Sequence, residues 1–189
     1  MIWSKMKQQL EGFLAPALAG RVEYRPAGYR YLPEKPGRCY LGVDRKAVLD
    51  MRDDTTGIRW YGNEQDVRND PDIRMPVSGE ELAAAGKAAG GKVPPERVEV
   101  MVRNRKMAAH AKEMLAAQAA LSKSDFQAAA GRFLTGPIEE SLESGDILLN
   151  ILALVDRRVG KKRLSDMEDR MRLKHPAVRW FYELRRSAM

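Results

Sequence analysis

The sequence predicts an α+β fold, with an N-terminal helix and a small antiparallel β-meander followed by an all-α helical bundle. Three observations predict it. Apolar residues recur every three or four positions over residues 2–14, as on one face of a helix. They then alternate with polar or small residues over residues 22–49, between turn-forming prolines and glycines. Beyond residue 95 the helical spacing returns, and it includes the nearly unbroken apolar run 147–155.

The N-terminal helix is predicted to end at Pro16 and Gly20, because proline and glycine interrupt helices. The alternating runs after it predict three or four strands, separated by turns at 26–28 and 33–37. The alternating residues are Val22, Tyr24, Tyr29, Tyr31, Cys39, Leu41 and Val43. Residues 47–49 are expected to extend the meander, and residues 58–61 to add a strand.

Capping signals predict the later helices. Ser78 with Glu81 predicts a capping box, and Pro95 predicts the start of a long helix. Valines alternate over 97–103, so a strand stays open there beside the favoured helix. Further helices are expected to begin at Ser122 or Ser124, at Pro137, at Ser144 and at Pro176, and one more is marked by Leu164, Met167 and Met171. The buried helix that begins at Ser144 is expected to end near Gly160, in a left-handed conformation.

A segment of small residues with several glycines and prolines, 83–95, is the predicted linker. It divides the chain into a mixed α+β part, residues 1–82, and a helical part, residues 96–189. The sequence leaves open whether these parts pack rigidly and whether the chain self-associates.

The chain of 189 residues carries a net charge of +7, and this charge is unevenly distributed. Residues 1–94 hold 15 lysines and arginines against 13 acidic residues, whereas residues 156–189 hold 11 against five. Such a basic C-terminal end favours nucleic acid, acidic proteins or anionic surfaces as partners. The single cysteine, Cys39, and the lack of a long apolar run predict a cytoplasmic protein without a membrane span.

The most concentrated positive charge follows the apolar run. Arg157 and Arg158 are expected in the last turn of the buried helix, and Lys161, Lys162 and Arg163 at the start of the next. Cations beside free backbone N–H groups would bind a phosphate or carboxylate, so these five residues are the candidate anion or nucleic-acid site. The alternative is that nearby carboxylates such as Asp156 and Asp166 pair the charges and leave a solvated surface.

Arginines and tyrosines also alternate along the predicted strands, which is the composition of a base-stacking sheet. The residues are Arg21, Tyr24, Arg25, Tyr29, Arg30, Tyr31, Arg38 and Tyr40. An ordinary half-exposed sheet has the same composition, because ring–cation contacts stabilise its solvent face. We favour this second interpretation.

The sequence predicts no catalytic set, no metal site and no cofactor. The two histidines, His110 and His175, and the lone Cys39 cannot supply the usual zinc ligands. The acidic run 139–146 lacks the spacing and central glycine of an EF-hand and is expected to complement a helix dipole. Cys39 lies in an apolar strand pattern, which is typical of an inert buried thiol.

The chain resembles a family of uncharacterised bacterial proteins of similar length. The residues that carry the resemblance are 1–5 (Met-Ile-Trp-Ser-Lys), 20–25, 139–144 and 154–163, of which Asp-Arg-Arg-Val-Gly-Lys-Lys-Arg at 156–163 is the most specific. The resemblance spans nearly the whole chain and implies a bacterial origin. It implies no activity, cofactor or catalytic residue.

We therefore expect a non-enzymatic cytoplasmic interaction protein with a basic C-terminal surface and an unidentified protein partner. The alternative is a nucleic-acid-binding protein that uses the basic cluster 157–163. An enzyme built on carboxylates and arginines is a third hypothesis, for which the sequence offers no histidine or cysteine set.

Overall fold

The computed structural model describes residues 2–28, 37–70, 73, 75–91, 93–117 and 121–189. It confirms the α+β class, because a helix precedes a three-stranded antiparallel sheet and further helices follow. The strands are β1 Val22–Gly28, β2 Gly37–Val43 and β3 Lys46–Arg52. The helices are α1 Trp3–Phe13, α2 Asp53–Asn69, α3 Gly79–Ala88, α4 Pro95–Ala117, α5 Lys123–Thr135, α6 Ile138–Glu143, α7 Ile147–Leu154, α8 Lys161–Asp166, α9 Glu168–Arg172 and α10 Pro176–Ser187. None of the described helices is both long and apolar enough to cross a bilayer.

The chain forms two compact units, Met1–Thr56 with Ala119–Met189, and Gly57–Gln118. These bounds differ from the predicted parts 1–82 and 96–189. The sheet needs a partner for its apolar face, and α1 and α5 both pack against it. Strand residues and C-terminal helices therefore share one core in the first unit. Residues 83–88 of the predicted linker belong to α3.

The sheet of the first unit is a meander in the order β1-β2-β3, with both pairs antiparallel. Residues 26–28, predicted as a turn, instead complete β1, while Tyr29, Tyr31 and the turn predicted after them lie outside the described residues apart from Gly37. Asp44 and Arg45 connect β2 to β3, both with positive φ (49° and 66°), as two-residue hairpins require. Arg21 holds this turn, because its Nε and Nη2 donate to the two Asp44 carboxylate oxygens at 2.9 Å.

The inner face of the sheet is apolar. Tyr24 of β1 packs on Phe126 of α5 with ring centroids 6.0 Å apart, and Trp3 of α1 packs on the same Phe126 ring at 5.8 Å. Cys39, Leu41 and Met51 are fully buried beside them. The alternating residues that the structure describes are all buried: Val22, Tyr24, Cys39, Leu41 and Val43.

A short backbone bridge ties the end of α1 to the segment after α7. The Ala15 N–H donates to the Val155 carbonyl at 2.9 Å, and the Arg157 N–H donates to the Phe13 carbonyl at 2.8 Å. Leu14 and Asp156 form an isolated antiparallel bridge there. The junction therefore fixes where the basic segment 157–163 begins.

The buried helix α7 exists as predicted, but its cap is Asp146 rather than Ser144. The Asp146 side chain accepts from the N–H groups of Leu148 (2.9 Å) and Leu149 (3.3 Å). Ser144 ends α6, and its hydroxyl accepts from the Asp146 N–H at 3.0 Å. Asp146 directly precedes the first apolar residue of the helix, so it occupies the capping position that Ser144 lies too early to fill.

The C-terminal end of α7 was also predicted wrongly. The helix ends at Leu154, six residues before Gly160, so Arg157 and Arg158 follow the helix instead of occupying its last turn. The Asp156 side chain accepts from the Arg158 N–H at 2.6 Å, a local bond that competes with helix continuation. Gly160 has φ −82° and ψ 172°, an extended conformation that any residue adopts, and it precedes α8.

The second unit is helical. The predicted strand at residues 58–61 is wrong, because these residues lie in α2, whose first turn carries Asp53 and Asp54. Four alternating residues are too few to separate strand from helix. Ser78 and Glu81 form the predicted capping box, and residues 97–103 are helical in α4. The core of the second unit contains Ala85, Val98 and Val102.

Candidate interaction surface

The five predicted anion-binding residues do not form one free cluster. Arg157 and Arg158 lie in the connection after α7, whereas Lys161, Lys162 and Arg163 form the first half of α8. Helix α8 has only six residues, so its N-terminus offers little of the dipole on which the prediction relied. Each cation must therefore be judged by its own contacts.

Arg158 is paired with a buried carboxylate. Its Nη2 donates to Asp156 Oδ2 at 2.8 Å, and its Nε lies 3.1 Å from both carboxylate oxygens. The Asp156 side chain is fully buried, whereas 36% of the Arg158 side chain is exposed. The guanidinium also lies over the rings of Phe13 (4.4 Å to the centroid) and Phe133 (5.5 Å). Hydrogen bonding to Asp156 raises the pKa of Arg158, so the guanidinium stays charged.

Two further arginines, Arg157 and Arg163, each contact another side chain but remain partly exposed. Arg157 lies 6.0 Å from the centroid of the Phe13 ring, with its guanidinium exposed. Arg163 pairs with Glu139 of α6 at 3.0 Å, and both side chains are about half exposed. An exposed pair of this kind is easily exchanged for another partner.

Lys161 and Lys162 are exposed, and neither has a carboxylate partner among the described residues. Of the five predicted residues they are the most available to an external anion. Within the segment 157–163, these two lysines and the nearby Arg157 are therefore the residues left to contact an external anion.

The sequence reasoning missed a second group of available residues, on α9 and α10. Arg170 and Arg179 are exposed and have no carboxylate partner within the described part of the chain. Leu173 is 92% exposed and Trp180 is 44% exposed, although both are large and apolar. Trp180 could have been recognised from spacing, because the residues that α10 buries are Val178, Phe181, Tyr182 and Arg185, a face that excludes position 180.

We define the C-terminal surface as the exposed residues of α8, α9 and α10. The buried Arg185 of α10 stabilises this region, because its Nη2 donates to the Val159 carbonyl at 3.2 Å. Burial lowers the pKa of Arg185, and the nearby Asp156 carboxylate opposes this shift. Tyr182 donates its hydroxyl hydrogen to the Leu164 carbonyl at 2.8 Å, which joins α10 to α8. These contacts join α10 to α8 and to the segment that precedes α8.

The described arginines of the sheet pair with nearby carboxylates of the sheet and its turn. Arg38 donates to both Asp50 oxygens (2.7 and 2.8 Å) and lies over the Tyr40 ring at 5.5 Å. Arg25 donates to Glu23 at 2.6 Å. This agrees with an ordinary solvent-facing sheet, while Arg30, Tyr29 and Tyr31 lie outside the described residues.

The remaining candidates for chemistry are weak. His110 lies 3.7 Å from Glu113 on an exposed face of α4, and His175 accepts a backbone hydrogen bond from Ala177 at the start of α10. Burial raises the pKa of the Cys39 thiol to about 12, so this sulfur stays protonated. Among the described residues, no group of His, Cys, Asp and Glu side chains is arranged to hold a metal ion.

The acidic run 139–146 has structural contacts instead. Asp146 caps α7 and pairs with Arg132, and Glu139 pairs with Arg163. An open cavity of about 600 Å³ lies beside Glu140 and Glu143. The expectation that these acids complement helix termini holds for Asp146, whose carboxylate caps α7.

Comparison with known proteins identifies the family. Residues 2–186 match the model of the SF0329 protein family, so the chain belongs to that family. This confirms the resemblance over nearly the whole chain. Neither a curated protein nor a solved structure matches the chain.

Proposed function

We propose that this protein is a non-enzymatic interaction protein that binds an acidic partner protein through its C-terminal surface. The observation that carries the proposal is a set of exposed cations there that have no carboxylate partner among the described residues: Lys161, Lys162, Arg170 and Arg179. Residues 156–189 have a net charge of +6. Uncompensated charge of one sign speeds association with partners of opposite sign.

The chemistry of the other polar groups supports a binding role over catalysis. Cys39 is buried with a raised pKa, His175 accepts a hydrogen bond at a helix start, and His110 is partly exposed and lies 3.7 Å from Glu113. A catalytic base needs a positioned partner and a site that shelters the reacting group. We also propose a bacterial cytoplasmic setting, which the lone buried thiol supports.

An acidic protein is favoured over nucleic acid because large apolar residues accompany the cations. Trp180 of α10 and Leu173, which follows α9, are both exposed. Exposed Trp and Arg side chains are typical of protein–protein contacts. Nucleic-acid binding is the second candidate, and the neighbouring exposed cations Arg157, Lys161 and Lys162 favour it.

The first experiment is size-exclusion chromatography of the native protein at low and high salt, with absorbance followed at 260 and 280 nm. A 260 nm component that leaves at high salt would support nucleic acid. The elution volume of the clean protein would reveal self-association, which the proposal leaves open.

The second experiment measures binding to poly-glutamate and to a short duplex DNA over a range of salt concentrations. The double variant Lys161→Gln/Lys162→Gln should weaken poly-glutamate binding about tenfold, since each exposed charge contact contributes up to about 1 kcal/mol. The matched control, Lys5→Gln/Lys46→Gln, removes two exposed lysines of α1 and the sheet and should have little effect. Equal losses in the two variants would show attraction to net charge only and would contradict the proposed surface.

A further inference from the structure

Helix α2 exposes apolar side chains on the side opposite to the face that it buries. Its buried residues are Asn63 and Val67. Ile58 is 74% exposed and Tyr61 is 62% exposed. Because successive residues of an α-helix are rotated by about 100°, Ile58 and Tyr61 lie on the other side of the helix from the buried pair. Single exposed apolar residues are ordinary, but two neighbours on one helix face form a patch that a partner can cover.

The residues of this face have the spacing of the contact line between two paired helices. They follow one another at intervals of four, three, four and three residues, and we call them the α2 seam: Asp54, Ile58, Tyr61, Gln65 and Arg68. The seam begins with a carboxylate and ends with a guanidinium, each seven residues from Tyr61. It is therefore complementary to itself when a second copy runs antiparallel, because Asp54 of each copy then lies opposite Arg68 of the other.

The charged ends of the seam have only exposed intramolecular partners. Asp54 Oδ2 lies 3.2 Å from Arg52 Nη2, and Arg68 Nη2 lies 3.2 Å from Glu64 Oε1. The side chains of Asp54 and Arg68 are 43% and 50% exposed, so both can accept a further contact. In the antiparallel arrangement each end becomes a row of alternating sign, in which Arg52 and Asp54 of one copy continue into Arg68 and Glu64 of the other.

Two glycines flank the apolar centre of the seam. Gly57 and Gly62 are exposed, and a Cβ on either of them would meet no atom within 4 Å outside the local backbone of the helix. Glycine weakens a helix interior relative to alanine, and the packing of this chain does not require it at either position. The missing side chains leave room for a second helix to approach the α2 backbone closely.

We infer that two copies of this protein associate through the α2 seam, as an antiparallel pair with its twofold axis at Tyr61. Such an interface uses the same surface on both copies and closes at a dimer. A parallel pair is disfavoured, since it would place Asp54 beside Asp54 and Arg68 beside Arg68. Helix α2 has 17 residues and is about 25 Å long, which gives a small contact area and a dissociation constant on the order of 10–100 μM. The inference goes beyond the proposed function, because the seam contains no residue of the C-terminal surface.

The first test is sedimentation equilibrium of the native protein at physiological salt, from about 1 to about 500 μM. A reversible monomer–dimer equilibrium is expected. Tyr61→Ala should weaken it about tenfold, because the ring at the twofold axis is lost from both copies, and Tyr61→Phe should retain most of it. Circular dichroism checks that each variant keeps its helix content.

A charge exchange tests the antiparallel arrangement. Asp54→Lys and Arg68→Glu should each weaken self-association about tenfold, because each places like charges at both ends of the pair. An equimolar mixture of these two variants should associate about tenfold more tightly than either variant alone, since every end of the mixed dimer again joins opposite charges. The matched controls are Asp66→Lys and Arg59→Glu, which make the same charge changes at exposed positions of α2 outside the seam. Neither control should change the dissociation constant by more than about twofold.

Each outcome supports or overturns the inference. A native protein that stays monomeric up to the highest concentration overturns it. A native dimer whose two exchange variants do not recover association on mixing contradicts the antiparallel seam, and so does a control that weakens the dimer as much as its matched variant. Poly-glutamate binding by Tyr61→Ala should equal that of the native protein, so loss of the dimer and failure of the acidic-partner proposal are measured separately.

Discussion

Removal of either charge of the Asp156–Arg158 pair should destabilise the first unit, and the two losses should not be additive. The Asp156 side chain is fully buried, and its oxygens accept three bonds from the Arg158 guanidinium between 2.8 and 3.1 Å. Two unit charges about 4 Å apart attract by about 4 kcal/mol at an effective dielectric constant near 20. Because 36% of the Arg158 side chain is exposed, solvent reduces this, and we expect a coupling energy of about 2 kcal/mol.

The single variants should cost more than the coupling alone. Arg158→Ala leaves a buried carboxylate without its main partner, at about 3 kcal/mol, and also removes the cation from the Phe13 ring. Asp156→Ala also removes the acceptor of the Arg158 N–H, and a similar loss is expected. The double variant should therefore lose about 4 kcal/mol instead of about 6.

The assay is urea unfolding followed by circular dichroism for the native protein, both single variants and the double variant. The exposed pair Glu139–Arg163 provides a matched control cycle, whose coupling should stay below about 0.5 kcal/mol. A coupling below about 0.5 kcal/mol for Asp156–Arg158 would refute our assignment. Arg158 would then be available to an external anion, as the sequence alone suggests.

Three other predictions concern the sheet and the core. Cys39 should resist alkylation in the folded state, because burial raises its pKa to about 12 and keeps the thiol protonated. The stability difference between the native protein and Cys39→Ala should be constant below about pH 9 and should fall by about 1.4 kcal/mol per pH unit above about pH 9. Unfolding measured as a function of pH tests this. Arg45→Gly should stabilise the protein by about 0.5–1 kcal/mol in urea unfolding, since φ is +66° there, while Arg45→Ala should bring no gain. Leu154→Asp should abolish the cooperative unfolding of the first unit, because Leu154 is fully buried and an unpaired buried charge costs several kcal/mol; a folded, fully helical variant would contradict the described core.

Local signals in the sequence predicted much of the fold. The capping box at Ser78 and Glu81 and the helix starts at Pro95 and Pro176 depend on residues a few positions apart, which a sequence displays directly. The prediction of a strand at 58–61 was wrong, because four alternating residues are too few to distinguish a strand from a helix.

The pairing of Arg158 with Asp156 is the alternative that the sequence offered, because the two residues are close in the chain. The other contacts of these cations could not be predicted from the sequence, because they depend on distant residues. Arg163 is paired by Glu139, and Arg158 is stacked on Phe13, which the chain reaches only through the bridge between α1 and α7. Nothing in the segment 157–163 itself indicates either contact. The position of Trp180 outside the buried face of α10 was visible in principle, because it follows from helical spacing alone.

These contacts change what the charge of the C-terminal end means. A count of residues treats Arg158 and Arg185 as part of a basic surface, yet one neutralises a buried carboxylate and the other donates to a buried carbonyl. An approaching partner meets the exposed cations that have no carboxylate partner among the described residues, such as Lys161, Lys162 and Arg179. Lys161 and Lys162 belong to the run 157–163, and Arg179 of α10 adds to them. Scattered exposed cations attract many anions about equally, so charge alone does not make such a surface specific for one partner.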